Sequence, residues 1–422
     1  MTVGKYRPWS GFDLAESARR IERHIETLAG SQYTASETAI CRYAYLPEYR
    51  RTVDYFASEF RAIGFDVWTD PVGTLVASNR PPGAPVFGLG SHCDSNRNGG
   101  KYDGTLGVVT ALEIARHAHE QDDDLPLRVL SFIEEEASGF GQMCLGSKIM
   151  LQLVSERELR EVIRDDNGVS FWDAAKAAGY RPEGWRESRL TLDGMTSWIE
   201  IHIEQGRVLQ DHAERLGIVD AIAGYVHADM NFRGRADHAG ATPMSERADA
   251  AVVAAAAVVE LERLASAAGG GAVATCGQID VLPGLANVVP EAVRLSLDLR
   301  SPSTAHEQVY ASITNYAEKV GAQRGVSTDV VERARTSAVP LDRGVVEALV
   351  ASAEHVGASH RVMHSGAAHD TMYVAAAVPS AMLFIPCVDG LSHTPLEQAS
   401  TADAALAAQV VYTALSNAQP PA

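Results

Sequence analysis

The segment VFGLGSHCDSNRNGGKYDGTLGVVTALEIARHAHE, residues 86–120, joins an apolar run to a helical pattern through a polar loop rich in glycine. The run VFGLG is typical of a buried strand, and GTLGVVTALEIARHAHE predicts a helix. A strand, a loop and a helix in this order form the repeating unit of a parallel sheet covered by helices. The loop carries His92, Asp94 and Asp103 at the carboxyl end of the strand, where open α/β sheets bind their ligands.

Three other apolar runs end in polar clusters in the same way. LRVLSFI (127–133) ends in EEE, SWIEI (197–201) ends in HIEQG, and SAMLFIPC (380–387) is followed by VDGLSHTP. These runs alternate with helical patterns, which predicts a mostly parallel sheet with helices on both faces. We therefore expect an α/β fold whose polar clusters meet at one edge of the sheet.

A different pattern occupies residues 216–335. Strand, helix, strand, strand, helix and strand follow one another, with helices predicted at 245–266 and 306–322 and one strand at GAVATCGQIDV (271–281). This order predicts a ferredoxin-like α+β unit inserted into the first fold. The expected organisation is one domain in two parts, residues 1–215 and 336–422, with the inserted domain at 216–335.

Composition and charge exclude several kinds of partner. The chain has 422 residues and a formal net charge of −18, which argues against nucleic acid or an anionic membrane as a partner. The five cysteines are scattered, which favours reduced thiols. The first residues lack the pattern of a signal peptide, and the apolar run AAVVAAAAVV has about half the length that spans a bilayer. We expect a soluble, cytoplasmic protein.

The first polar cluster has two interpretations. If the strand continues through it, His92 and Asp94 point to the same face, and the aspartate can accept the second N–H of a metal-binding histidine. Asp103 can return to the same place through the glycine-rich loop. Alternatively, Asp103 caps the helix that follows it.

The other clusters supply carboxylates and imidazoles at equivalent positions. Glu134, Glu135 and Glu136 follow a very apolar strand, so burial beside a cation explains them better than a solvated run of charges, the alternative. His202 and His393 complete the set. Nitrogen and oxygen ligands without thiolate favour zinc or manganese, with cobalt and nickel possible.

Eight motifs extend this pattern over nearly the whole chain: GSHCDSNRNGGKYDGTLGV, EEEASGFG, IEIHIEQG, GRADHAGATPM, ANVVP, LDLR, SGAAHD and VDGLSHTP. In this order they resemble the amidase branch of the dinuclear metallopeptidase-type hydrolases. That branch includes N-carbamoyl-L-amino-acid hydrolases, allantoate amidohydrolases and β-ureidopropionases. The resemblance implies two divalent metal ions, a dinuclear metallopeptidase-like catalytic domain, and an inserted lid domain that pairs two subunits in a homodimer.

The resemblance also implies metal ligands. His92 and His202 would bind one metal ion, Glu136 and His393 would bind the second, and Asp103 would bridge the two. Manganese or zinc is expected, and cobalt or nickel is possible.

Further roles follow from the same resemblance. Glu135 would be the general base, Asp94 would orient a histidine, and His238 would act in catalysis from the partner's active site. The residues that would bind a small, carboxylate-bearing substrate are Gln205, His238, Asn287, Arg300, Ser365 and Gly366. Ordinary alternatives remain: Arg300 as a surface charge, Asn287 and Gln205 as turn or surface residues, and His238 as a structural residue.

Three positions depart from the pattern of the branch. Gly139 replaces its usual arginine, Ala368 stands where glycine is common, and Thr394 stands where asparagine is frequent. None of these changes removes a ligand or the base, but they bear on the substrate. The leading hypothesis is hydrolysis of an N-carbamoyl or ureido acid. The alternatives are hydrolysis of N-acyl or peptide-like amides by the same residues, and a catalytically inactive relative that only binds.

Overall fold

The computed structural model of the protein describes residues 12–164 and 166–418. Its contacts divide the chain into two compact units. The first unit contains the described residues up to Asp220, together with Leu341–Met363 and those from His369 onward. The second unit contains Ala221–Pro340 and His364–Ala368.

The helices of the described residues, in chain order, are α1 (Leu14–Leu28), α2 (Pro47–Ala62), α3 (Thr105–Glu120), α4 (Leu145–Met150), α5 (Glu156–Glu161), α6 (Phe171–Ala177), α7 (Val208–Asp211), α8 (Ala250–Ala268), α9 (Ala305–Gln323), α10 (Arg343–Val356), α11 (Thr371–Val374) and α12 (Thr401–Asn417). Four 3₁₀ segments lie at Ser31–Tyr33, Pro182–Leu192, Met244–Glu246 and Val388–Gly390. In the part of the chain that the structure describes, no helix combines the length and the apolar character needed to cross a membrane.

The strands, in the same order, are β1 (Asp66–Thr69), β2 (Leu75–Ser78), β3 (Val86–His92), β4 (Leu127–Phe132), β5 (Met195–Ile203), β6 (Leu216–Ile222), β7 (Gly224–Arg233), β8 (Asp237–His238), β9 (Val273–Thr275), β10 (Ile279–Leu282), β11 (Val288–Val289), β12 (Ala292–Ser301), β13 (Ser327–Thr336), β14 (Val339–Pro340), β15 (His360–Ser365) and β16 (Ser380–Ile385).

The central sheet of the first unit is mainly parallel, as predicted. Its strand order is β1-β2-β4-β3-β5-β16-β6. The four middle strands β4, β3, β5 and β16 are parallel to one another, whereas β1, β2 and β6 pair in antiparallel fashion. Because the middle strands run the same way, their carboxyl ends share one edge of the sheet. His92 lies opposite Phe132 there, and His202 lies opposite Phe384.

Helices cover both faces of this sheet. On one face α3 packs closely, since a Cβ atom at Gly107 would lie 2.7 Å from the Ser91 side chain of β3. Side chains alternate along a strand, so Val86 of β3 points to the other face. There it joins a buried cluster whose members include Leu130, Trp198, Val374 and Val378.

The second unit has an antiparallel sheet of its own. The strand order is β10-β12-β7-β13, with β9 also paired to β12. Helices α8 and α9 pack against each other and against this sheet. The predicted alternation along β12 is present: Val293, Leu295, Leu297 and Leu299 are buried in the core of the unit. In chain order the unit runs through β7, β8, α8, β9, β10, β11, β12, α9 and β13.

Two predicted elements of this unit were wrong in detail. The first helix begins at Ala250 rather than at 245, because the Asp249 carboxylate accepts hydrogen bonds from the amides of the first turn. The strand predicted at 271–281 is two strands. Thr275 pairs with Asp298 and Ile279 pairs with Leu295, so this side carries one more residue than β12 and is interrupted there.

Glycine at position 90 allows β3 and β4 to approach closely beside the site. Gly90 has a φ of +146°, and a Cβ atom on it would lie 1.9 Å from the Leu130 carbonyl oxygen of β4. An alanine there would push apart the two strands that place His92 and the glutamates at the sheet edge.

Gly90→Ala is expected to lower the free energy of unfolding of the first unit by about 2–5 kcal/mol, through backbone strain and overpacking. The measurement is denaturant unfolding followed by tryptophan fluorescence. Gly83→Ala is the matched control, because Gly83 has a φ of +79° but no neighbouring atom within 4 Å of its Cβ position. Equal losses in the two variants would show that the contact between the strands has no energetic consequence.

Candidate metal centre

Polar side chains from four parallel strands meet at the carboxyl edge of the central sheet. His92 ends β3, His202 lies near the end of β5, Glu135 follows β4, and His393 follows β16. His92 and His202 are each 1 % exposed. The predicted convergence of the polar clusters is therefore present in the first unit.

The first group of donors consists of His92, His202 and Asp103. The Nε2 atoms of His92 and His202 are 3.5 Å apart. Oδ1 of Asp103 lies 3.5 Å from Nε2 of His92 and 3.2 Å from Nε2 of His202. These three atoms lie close enough together to hold one metal ion.

The second group uses the other oxygen of the same aspartate. Oδ2 of Asp103 lies 3.2 Å from Nε2 of His393, which lies 3.3 Å from Oε2 of Glu136. These three residues form a second set of potential ligands. The Asp103 carboxylate therefore stands between two pairs of donors, with one oxygen facing each pair.

The protonation of the two buried histidines follows from their hydrogen bonds. Nδ1 of His92 contacts the carbonyl oxygen of Asp94 at 3.1 Å, and Nδ1 of His202 contacts that of Ile203 at 2.9 Å. Since a carbonyl oxygen can only accept, both Nδ1 atoms carry the proton and donate it. In the neutral form of each ring, Nε2 then carries the lone pair that a metal ion would need.

Asp94 is placed beside His92, but its carboxylate is not the hydrogen-bond acceptor that the resemblance implies. Oδ1 of Asp94 lies 3.7 Å from Nδ1 of His92, and the backbone carbonyl of Asp94 accepts the proton instead. Oδ2 of Asp94 accepts a hydrogen bond from the Glu136 amide at 3.1 Å. Asp94 therefore contacts both sides of the cluster through different atoms.

The three glutamates are buried rather than solvated. Glu134 is 0 % exposed, and Oε1 of its carboxylate accepts hydrogen bonds from the amides of Gly139 and Phe140. Oε2 of Glu135 lies 3.8 Å from Nε2 of His92, and the Cys144 thiol donates to Oε1 of Glu135 at 3.4 Å. The alternative of a solvated charge run is therefore wrong.

Burial makes this group of carboxylates suited to a cation. It raises the pKa of Glu136 to about 8 and that of Glu135 well above its ordinary value. Oε1 of Glu136 is buried and has no hydrogen-bond partner among the described residues. Divalent cations would offset the crowding of negative charge, and the donors are imidazoles and carboxylates only. The residues therefore fit divalent metal ions.

The helix-cap interpretation of Asp103 is also wrong. Helix α3 begins after Gly104, and no side chain caps its first turn. The Asp103 carboxylate is thus available to the cluster. Gly104 has a φ of +60°, and a Cβ atom on it would lie 2.3 Å from the His92 ring. Only glycine fits between Asp103 and the helix.

Gln205 lies against the same carboxylate. Its Nε2 donates to Oδ2 of Asp103 at 2.8 Å and lies 3.3 Å from Nε2 of His393. Its backbone has a φ of +59°, an uncommon conformation outside glycine that often occurs at functional sites. Gln205 is therefore part of the cluster rather than a solvent-facing turn residue.

The second unit holds the remaining predicted residues. His238 lies on β8, which pairs with β11, and the Asn287 carbonyl accepts a hydrogen bond from the Ala239 amide. Nδ1 of His238 accepts hydrogen bonds from the amides of Gly240 and Ala241, each at 3.1 Å. A neutral His238 therefore carries its proton on Nε2 and can donate it. The histidine is exposed.

Arg300 has protein partners within the second unit. Its Nε and Nη2 donate to the Asp298 carboxylate at 2.9 and 3.0 Å, and its Nη1 donates to the Gly366 carbonyl at 3.0 Å. The structure thus brings Arg300 and Gly366 together. The Ser365 hydroxyl donates to the Ala367 carbonyl at 2.9 Å. The predicted carboxylate-binding fork of Arg300 is largely directed at Asp298, a contact that the sequence did not indicate.

The peptidase family M20/M25/M40 matches residues 89–417. The chain belongs to this family. Three relatives illustrate its place within it, two by sequence and one by structure.

An N-carbamoyl-L-amino-acid amidohydrolase of Paenarthrobacter aurescens is 36% identical over 385 residues, which cover 90% of this chain and 93% of the relative. An allantoate amidohydrolase of Bacillus subtilis (strain 168) is 32% identical over 386 residues, which cover 90% and 92%. A crystal structure of an amidase of the hydantoinase/carbamoylase family from Burkholderia multivorans matches with a TM-score of 0.86 at 28% identity, over 94% of this chain and 97% of that one. The resemblance stated from the motifs is confirmed.

Sequence reasoning missed Glu397, which supports the cluster of potential metal ligands. Oε1 of Glu397 accepts hydrogen bonds from the amides of Tyr102 and Asp103 at 2.8 and 3.0 Å, and its Oε2 lies 3.1 Å from the Ser392 hydroxyl. Glu397 is 2 % exposed. Its position four residues after His393 was visible in the sequence, but its contact with the distant Asp103 loop was not.

Replacing Glu397 should weaken metal binding without removing a ligand. Glu397→Ala frees the amides that hold the Asp103 loop, and we expect a loss of about 10–100-fold in metal affinity, as for other residues that orient ligands. Glu397→Gln keeps an acceptor oxygen and should lose less. Competition with a fluorescent chelator measures the affinity.

The control is Glu187→Ala, since the Glu187 side chain is 54% exposed and forms a surface ion pair with Arg181. Unchanged metal affinity in a folded Glu397→Ala protein would mean that the loop is held in place by other contacts.

Proposed function

We propose that the protein is a metal-dependent amidohydrolase that cleaves the C–N bond of an N-carbamoyl (ureido) amino acid or an allantoate-like acid. The observation that carries the proposal is the position of the Asp103 carboxylate. One of its oxygens lies near His92 and His202, and the other lies near His393. The names of the relatives from P. aurescens and B. subtilis support the substrate class. The membership in the M20 family supports a hydrolase.

We propose two divalent ions per subunit, manganese or zinc in preference to cobalt or nickel. His92 and His202 would hold one, Glu136 and His393 the other, and Asp103 would bridge them. When bound, such ions supply Lewis acidity to the scissile carbonyl and lower the pKa of water.

Glu135 is the proposed general base. Its carboxylate is buried beside the ligand cluster, with Oε2 3.8 Å from Nε2 of His92. In this role it takes a proton from the attacking water as the C–O bond forms, and it returns the proton to the leaving nitrogen as the C–N bond breaks. Asp94 would support His92 through its carbonyl and Glu136 through its carboxylate.

The substrate would be a small acid held by residues from both units. Gln205 is proposed to contact it from the first unit, and Asn287, Arg300, Ser365 and Gly366 from the second. To bind the substrate carboxylate, the Arg300 guanidinium would exchange part of its contact with the Asp298 carboxylate. His238, with its proton on Nε2, would donate to the oxyanion that develops on the scissile carbonyl.

We further propose that the second unit is a lid that also pairs two subunits, so that His238 serves the partner's active site. Its edge strand β10 is exposed at every residue, including Ile279, Val281 and Leu282. An apolar edge strand that is exposed to solvent tends to pair with a strand of another chain. The five cysteines are free thiols, which supports a cytoplasmic protein.

A substrate panel tests the proposed function. Metal-loaded protein should release ammonia from N-carbamoyl amino acids or allantoate, and it should lose this activity on chelation and regain it with manganese. Amine release from N-acyl amino acids in place of ammonia would favour the amide alternative. A folded, metal-loaded protein that cleaves neither class would support the inactive relative.

Glu135→Gln should reduce turnover by about 10²–10⁴-fold, the usual contribution of a general base. Metal content and substrate affinity should remain close to those of the wild type, because the residue is not a proposed ligand. Elemental analysis, calorimetry and steady-state kinetics measure the three quantities. A nearly normal kcat would assign the base to another residue.

Subunit complementation tests the shared site. His238→Ala removes one oxyanion donor, which should cost about 2.7–4 kcal/mol in the transition state. Mixed with Glu135→Gln under conditions of subunit exchange, it should regain activity, because some heterodimers then contain one centre with both residues intact. If exchange is verified by differently tagged subunits and activity stays low, His238 does not act across the interface.

A further inference from the structure

A polar cleft opens beside the metal centre within the first unit. It has a volume of about 490 Å³, and His393 is one of the residues that line it. The loop after Glu136 forms one wall, where Gly139 adds no side chain. The other residues that line it are Tyr43, Asn96, Arg97, Asn98, Ala137, Ser138, Arg164 and Asp166. Two of these are arginines, although the chain as a whole has a net charge of −18.

Arg164 is buried in the wall of the cleft. It is 5 % exposed, its Nη2 donates to the Ala44 carbonyl, and its guanidinium carbon lies 5.0 Å from the centre of the Phe140 ring. Its Nε is buried and has no hydrogen-bond partner among the described residues. Oδ1 of Asp166 lies 3.8 Å from that Nε, which is too far for a hydrogen bond.

Arg97 brings a second positive charge from the loop that contains Asp94 and Asp103. Its side chain is exposed, and its Nε donates to the Tyr43 hydroxyl at 3.3 Å. Asn96 and Asn98 also line the cleft, and the Asn98 backbone amide donates to Oδ1 of Asn96 at 3.0 Å. Two arginines, with Asp166 as the single carboxylate among the described lining residues, favour an anion as the ligand.

We infer that this cleft is a subsite for a carboxylate on the substrate's side chain, so that the enzyme prefers N-carbamoyl derivatives of acidic amino acids. The inference rests on the proposed function and adds a second anionic group to the substrate, distinct from the one assigned to Arg300. His393 belongs to both the cleft and the proposed metal centre, so a side chain attached close to the scissile bond can extend from one into the other.

The test compares N-carbamoyl-L-glutamate with N-carbamoyl-L-glutamine, which have nearly the same shape but differ in charge. The wild type should prefer the acid in kcat/KM. Arg97→Gln should reduce the ratio of acid to amide by about 5–20-fold, as expected for a partly solvated charge-assisted contact, and Arg97→Lys should restore part of it. Arg181→Gln is the matched control, since that arginine is exposed and lines a different cleft.

Binding separates this inference from the proposed function. Calorimetry measures the affinity of each ligand for metal-loaded Glu135→Gln protein and for the same protein that also carries Arg97→Gln. These measurements require no turnover. A higher affinity for the acid that disappears with Arg97→Gln supports the subsite, even if neither compound is cleaved. Equal affinities for acid and amide overturn it, even if neutral N-carbamoyl amino acids release ammonia. Inorganic phosphate bound there as a free anion would compete with the acid and lower its measured affinity, so phosphate-free buffer is used.

Discussion

The arrangement of the first unit depends on one carboxylate that faces two pairs of donors. Asp103 can do this only because the loop from β3 returns to the end of its own strand, and because Gly104 leaves room for the His92 ring. Two residues distant in sequence then hold the aspartate. The Glu397 carboxylate accepts a hydrogen bond from the Asp103 backbone amide, and the Gln205 side-chain amide donates one to the Asp103 carboxylate. A site with so much negative charge in so little water is stable when cations share it.

The parallel sheet makes such a site possible without interrupting the regular structure of its strands. Each middle strand delivers one or two polar side chains at its carboxyl end, where the main chain leaves the hydrogen-bonded ladder and adopts less regular conformations. Glu134, Gln205 and His393 all have positive φ values of 55–59°. These three uncommon conformations lie at the edge that holds the ligand cluster, and the buried strands behind it supply stability that offsets their cost.

The sequence predicted the sheet and most of the ligand cluster, because the end of a buried strand can be recognised where an apolar run changes to polar residues. Asp103, His202 and His393 lie where that logic places them. The contacts of Glu397 with the Asp103 loop and of Arg300 with Asp298 could not be predicted, since both depend on how side chains are oriented in the folded chain. The start of α8 was misplaced because the predicted helix included residues 245–249, whereas Asp249 caps the first turn and the helix begins at Ala250. Residues 364–368 belong to the second unit, although they follow α10 of the first unit in the sequence.

The order in which the ligands occur along the chain has a consequence for synthesis. His92, Asp103 and Glu136 leave the ribosome early, but His393 follows only after the whole second unit has been made. During that interval the emerging chain contains the other proposed ligands but lacks His393. Domains fold as units while they emerge, so the second unit can become compact before the first is finished. The five proposed ligands can therefore come together only late in the synthesis of each molecule, once residue 393 has emerged.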